Sequence, residues 1–167
     1  DMSDIKIKFA SGLYDRFLSL YTKAVVPQGI DFEFTPIDDP REIFDHMAGK
    51  LEFDASEMSG TEYVTHVASG NSPFIGIPVF ASRVFRHSFI VINRKSGIEK
   101  PKDLEGRRVG VQLYTMSAAM WIRGMLQHDY GVDLSTISWV QGAIDGAGGH
   151  GSPTVLPLLK QPDVVNN

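Results

Sequence analysis

Read as a pattern of apolar and polar positions, the chain divides into short strands alternating with amphipathic helices. Ile5 to Ala10 alternates with the period of a strand and stops at Ser11-Gly12. Tyr14 to Tyr21 fits a helix or a long turn, and Asp31 to Ile37 alternates again as a second strand. Asp39-Pro40 supplies a helix start, an aspartate cap with proline at the first helical position, for a helix that Gly49 is expected to close. Phe53 to Ser56 predicts a third strand and Thr61 to Ala68 a helix. Pro73 to Phe80 and the β-branched run Ser88 to Asn93 predict two further strands.

After Asn93 the pattern restarts. Arg108 to Val111 predicts a strand, Thr136 to Val140 another, and Ser117 to His128 a helix between them that ends before Gly131. Ala118, Trp121, Ile122, Met125 and Leu126 form that helix's apolar face, and Trp121 is read as packing rather than as a stacking platform. The alternation predicts an α/β architecture. The restart predicts two lobes around a cleft: residues 1–88, a crossover or hinge strand at 89–94, and 95–167 as part of the second. From Gly142 the chain is glycine-rich and then helix-like only over Thr154 to Lys160. A second lobe with two strands and one good helix leaves apolar faces uncovered, so more polypeptide is expected after Asn167.

Composition narrows the function classes. At 167 residues, 43% hydrophobic and 22% charged, the chain is long enough for a core and far from a disordered composition. A formal net charge of −4 gives no general attraction to nucleic acid or acidic membranes, leaving Arg83, Arg86, Arg94, Lys95, Arg107 and Arg108 as local anion contacts. The absence of cysteine excludes disulfides, thiolate metal sites and a cysteine nucleophile. No two of the five histidines have ligand spacing, so neither a metal nor an organic cofactor is predicted, with a metal held by distant residues left open. Gly146 to Gly151 matches Gly-x-Gly-x-x-Gly, but Ser152-Pro153 follows where a dinucleotide site needs a helix, and that reading is rejected. No run reaches the length of a membrane span, and no basic-then-apolar leader opens the chain. Met2 read as the native start places the protein in the cytoplasm; a leader lost in cloning would place it in the periplasm.

Two segments carry the candidate chemistry. Leu51 to Tyr63 and Arg108 to Ser117 each leave a strand through a polar loop and enter a helix rich in small and hydroxyl residues. A helix start offers unpaired amides and the positive end of the helix dipole, enough to hold a carboxylate. An ordinary capped βα loop has the same pattern, and what favours a ligand is that two such mouths can face each other.

Ser11-Gly12-Leu13-Tyr14-Asp15-Arg16, Phe53 to Ser59, Arg86-His87-Ser88, and Asp103 to Val111 continuing through Ser117 to Gly124 together resemble the 4,5-dihydroxyphthalate decarboxylase-like proteins. That family is a branch of the type II periplasmic binding protein fold, and the resemblance runs from Ile5 to about Gly142. It implies two α/β lobes closing on a ligand, the second incomplete in this chain. It also implies a site drawn from Tyr14, Arg16, Glu57, Ser59, Arg86, His87, Tyr114, Thr115, Met116 and Ser117. Arg86 and His87 read either as a charged strand end or as a carboxylate clamp beside a proton donor. Glu57 reads either as a helix cap or as a proton-exchanging acid. The activity implied is loss of carbon dioxide from a hydroxylated aromatic dicarboxylic acid, with His87 and Glu57 as acids and the others binding a small carboxylated aromatic ligand. The alternative is a non-catalytic receptor for such a ligand, and only then is a transporter partner expected; a homo-oligomer is compatible with either.

Overall fold

In the computed structural model, which describes residues 4–143 and 164–166, the alternation at the N-terminus becomes two paired strands. β1 (Ile5–Ser11) and β2 (Ile30–Pro36) run parallel with Ile5 opposite Ile30 and Phe9 opposite Phe34. A 3-10 turn at Asp15–Phe17 and the single-turn helix α1 (Leu18–Tyr21) lie between them. β3 (Ala55–Ser56) adds to the other side of β1, giving the order β2-β1-β3. An aromatic cluster covers this sheet: the Phe9 ring lies 5.5 Å from Phe17, 5.5 Å from Phe32 and 5.2 Å from Phe34. Aromatic rings bury more area per residue than aliphatic side chains, which suits a small sheet.

The helix α2 (Pro40–Lys50) is capped as the sequence predicts, the Asp39 carboxylate accepting from the Arg41 amide at 2.8 Å. Its end differs from expectation. Gly49 stays helical, and Leu51 takes the left-handed cap conformation (φ 53°) while its amide reaches back to the carbonyls of His46 and Met47. α3 (Gly60–Ala68) is fastened to α2 by a buried ion pair, in which both guanidinium nitrogens of Arg41 donate to the Glu62 carboxylate. Asp45 takes a further bond from Arg41. Burial alone would lower the Arg41 pKa, and Glu62 and Asp45 outweigh it and hold the guanidinium charged.

The second sheet has the order β4-β5-β6, all parallel: β4 (Arg108–Val111), β5 (Ser138–Gln141) and β6 (Val164–Asn166). α4 (Ser117–His128) has the bounds predicted for it. The sequence reading expected only two strands here; β6 adds a third in the stretch read as a polar end. The second core gathers Leu104, Tyr114, Leu126, Val132, Ile137 and Trp139, with Ile122 against it. Trp121 is turned outward and 61% exposed, because α4 buries the stripe through Ala119, Ile122 and Leu126 instead. Trp139 is the buried tryptophan.

Two predicted strands are not formed. Residues 73–80 have no regular structure, and His87–Phe89 is a 3-10 turn followed by irregular chain, so the 89–94 crossover is not a strand. A β-prone run becomes a strand only when its backbone groups find a ladder partner, and among the described residues none pairs with either run. The same stretch leaves Ile75, Phe85 and Val91 nearly fully exposed. The helix-like run at 154–160 and the glycine-rich segment from 144 onward lie outside the described residues. No helix of the described residues is long and apolar enough to cross a membrane.

Removing Glu62 leaves the buried Arg41 guanidinium with the partly exposed Asp45 as its remaining acidic partner. Glu62→Ala should therefore destabilise the protein toward the low end of the about 3–5 kcal/mol that breaking a buried pair costs, and the paired change Arg41→Met with Glu62→Leu should recover most of that in urea unfolding.

Candidate functional site

The two predicted mouths meet. Ser59, the residue before α3, makes no side-chain bond to its own helix, and its hydroxyl lies 2.8 Å from that of Ser117, the first residue of α4. The Ser117 oxygen also accepts from the Thr61 amide and the Thr61 hydroxyl, each at 3.2 Å. One helix thus caps the other. Ser59-Gly60-Thr61-Glu62 has the spacing of a self-contained capping box, but both ends are used elsewhere, Ser59 on Ser117 and Glu62 on Arg41. That box is the signal by which Thr61, absent from the sequence-predicted set, was open to detection.

The start of α4 has no side-chain cap of its own, Met116 standing at the cap position. The first-turn amides of any helix lack acceptors within it, and each helix end carries roughly half a positive charge. Two such ends converge here on hydroxyl oxygens, neutral groups that answer only part of the positive potential. Thr115 adds a buried hydroxyl that makes no hydrogen bond to the described residues. An anion is what this arrangement accepts best.

Glu57 lies two residues before Ser59 and closes the gap between the ends of β1 and β3. Its carboxylate accepts from the Gly12 amide at 2.7 Å, the Tyr14 hydroxyl at 3.1 Å and the Ser11 hydroxyl at 3.4 Å. A side chain at Gly12 would crowd the Tyr14 ring, its Cβ falling 3.1 Å from the ring carbon Cζ. Burial, together with the Glu57 charge, raises the Tyr14 pKa above its ordinary 10.0, so the phenol keeps its proton and donates it to the carboxylate. Arg16 stacks over the Tyr14 ring, its Cζ 4.8 Å from the centroid, and donates to the Ala81 carbonyl at 2.7 Å.

The structure therefore joins Tyr14, Arg16 and Glu57 in one group, and Ser59, Thr61 and Ser117 in a neighbouring one. Tyr114, three residues before Ser117, is a buried core residue. Arg86 and His87 lie elsewhere. Arg86 stacks on Phe89, and the exposed His87 packs its ring 6.1 Å from Tyr130, past the C-terminal end of α4. A helix of that length separates its two ends by about 18 Å, which sets His87 apart from the serine cluster. No three His, Asp or Glu side chains of the described residues converge as metal ligands do.

Comparison with known proteins gives one family match and two relatives. The family model described as NMT1/THI5-like matches residues 28–146. The 4,5-dihydroxyphthalate decarboxylase of Comamonas testosteroni is 38% identical over 167 residues, covering 99% of this chain and 48% of the relative. The protein of the same name from Pseudomonas putida is 37% identical over 147 residues, covering 88% of this chain and 57% of the relative. The chain spans about half the length of the curated relatives it matches.

A raised Tyr14 pKa has a defined sign in stability. The contribution is complete below pH 10.0, where the unfolded phenol is also neutral, and is lost as pH rises through the higher folded value. Urea midpoints compared at about pH 8 and about pH 11 should show an alkaline loss in the wild type that is smaller in Tyr14→Phe; equal losses would contradict the Tyr14–Glu57 contact.

Proposed function

Because the chain belongs to the NMT1/THI5-like family, which has a periplasmic-binding-protein-like fold, we propose that the protein decarboxylates 4,5-dihydroxyphthalate or a closely related hydroxylated aromatic dicarboxylic acid. The observation that carries this reading is the convergence of two helix starts on the Ser117 hydroxyl, a site suited to a carboxylate. The shared name of both relatives supports the reaction, and neither is named as a solute receptor.

The chemistry follows from the substrate's ring. The hydroxyl para to the departing carboxylate pushes electrons into the ring, and the ring carbon bearing that carboxylate takes up a proton. The carbon–carbon bond to the carboxylate then breaks, its electron pair restores aromaticity, and carbon dioxide leaves. The product, 3,4-dihydroxybenzoate, retains the second carboxylate. The ring itself serves as electron source and sink, so this route calls for no organic cofactor.

In this reading Ser59, Thr61, Ser117 and the amides at the start of α4 hold the carboxylate that stays on the ring. Thr115 offers it a further donor. Glu57 relays to the ring carbon a proton taken up from solvent, and the Tyr14 hydroxyl holds its carboxyl in place, an arrangement supported by their hydrogen bond and by Glu57 lying two residues before Ser59. Arg16 adds positive charge beside Tyr14. His87, at the far end of α4, is assigned no step.

Proton NMR of 4,5-dihydroxyphthalate with the full-length protein in heavy water should show 3,4-dihydroxybenzoate carrying deuterium at the carbon that lost the carboxylate. Glu57→Gln should lower kcat by roughly 10²–10⁴-fold with substrate still bound, and His87→Ala should keep most of the activity. Loss of turnover in His87→Ala alone would return the acid role to the histidine. No product from the wild type would end the decarboxylase reading.

A further inference from the structure

Arg123 is a half-buried guanidinium for which no carboxylate partner exists among the described residues. It stands six positions into α4 and reaches back toward the helix start, the direction in which helical side chains lean. Its Cζ lies 3.8 Å from the Tyr114 ring centroid, within stacking distance, and one terminal nitrogen donates to the Tyr114 carbonyl at 2.7 Å. The Trp139 ring is also near, at 5.8 Å. Tyr114 is held from its other sides as well: its amide donates to the Gln141 side-chain oxygen at 2.8 Å, and its ring meets Trp139 edge-on at 5.6 Å. Every polar and aromatic handle of Tyr114 except its hydroxyl is thus engaged, three residues before Ser117.

Holding a guanidinium charge at such depth is costly, and burial accordingly lowers the Arg123 pKa. A structural stacking role alone would be met by an apolar side chain of similar length. The guanidinium does two things that an apolar side chain cannot: it fixes the Tyr114 carbonyl, and it places a cation behind the helix start where an anion is to sit. We propose that Arg123 is a positioning residue for the anion site, locking the turn at 112–116 so that Thr115 and Ser117 are presented to the carboxylate. The inference rests on the reading of that site given above.

The test uses the full-length protein with 4,5-dihydroxyphthalate, comparing Arg123→Met, Arg123→Lys, Ser117→Ala and the double variant Arg123→Met with Ser117→Ala. The held carboxylate stays on the product, so its loss should act on KM more than on kcat. Arg123→Met should raise KM roughly tenfold to a hundredfold with kcat within about threefold of wild type, as expected when a distant change misplaces a binding group. Arg123→Lys, which keeps the charge but not the flat stack, should recover part of the loss and serves in place of the methionine variant if that one fails to fold. Arg123 acting through the turn predicts that the double variant costs little more than the larger single effect. Lower thermal stability with unchanged KM, or strictly additive KM effects, would overturn the proposal while leaving the decarboxylase reading intact. A wild type that neither turns over nor binds the substrate would overturn both, and the two failures are distinguished by the wild-type control.

Discussion

Two helices start at the same place, and like ends of two dipoles repel. That constraint shapes most of what surrounds it. α3 and α4 begin within hydrogen-bond reach of each other because Ser117 gives its oxygen to the Thr61 amide and lies against Ser59. The arrangement holds only if each helix is fixed from behind. For α3 the fixing is the Arg41–Glu62 ion pair, which ties its first turn to α2 through a carboxylate that also suits a helix start. For α4 it is the Tyr114 turn, pinned between Gln141 of β5 and Arg123 of the helix itself. Positive potential is concentrated by the fold rather than by a cluster of lysines, consistent with a chain of net negative charge.

Much of this was legible in the sequence where the cause is local. Alternation placed β1 and β2, Asp39-Pro40 placed the start of α2, and the bounds of α4 follow from its periodicity. The two βα mouths were also legible, although a pattern cannot say that they touch. The misreadings share a physical origin in partners distant along the chain. Residues 73–80 and 88–93 have strand composition, yet ladder hydrogen bonds are supplied by another segment or not at all. Trp121 belongs to an apolar stripe on a helical wheel, and only the position of the second sheet decides that the adjacent stripe through Ala119 and Leu126 is the one covered. Leu51 in place of Gly49 as the left-handed residue shows the same limit on a smaller scale, since the helix ran one turn-fragment past the residue best suited to end it.

Among the candidate residues, strand pairing decides which side chains meet. Tyr14, Arg16 and Glu57 come together because β3 pairs beside β1, so the loops that follow both strands share one edge of the sheet. Arg86 and His87 belong to the irregular stretch between the sheets, where no strand carries them toward that edge. Thr61 and Arg123 acquire their significance only through contacts between elements, and no spacing in the chain announces the second of them.

The hydroxyl contact between Ser59 and Ser117 has one further consequence. The protein already fills part of the site with its own oxygens, so a carboxylate bound as proposed would exchange bonds instead of adding them. Affinity is then set by the difference between the ligand's acceptors and those of two neutral hydroxyls, and by the cost of parting the two helix ends. A charged acceptor gains from that exchange, because ionised groups make the stronger hydrogen bonds. A neutral one, such as an ester or amide of the same ring, gains almost nothing. On the proposed reading, selectivity for the ionised acid therefore comes before recognition of the aromatic ring.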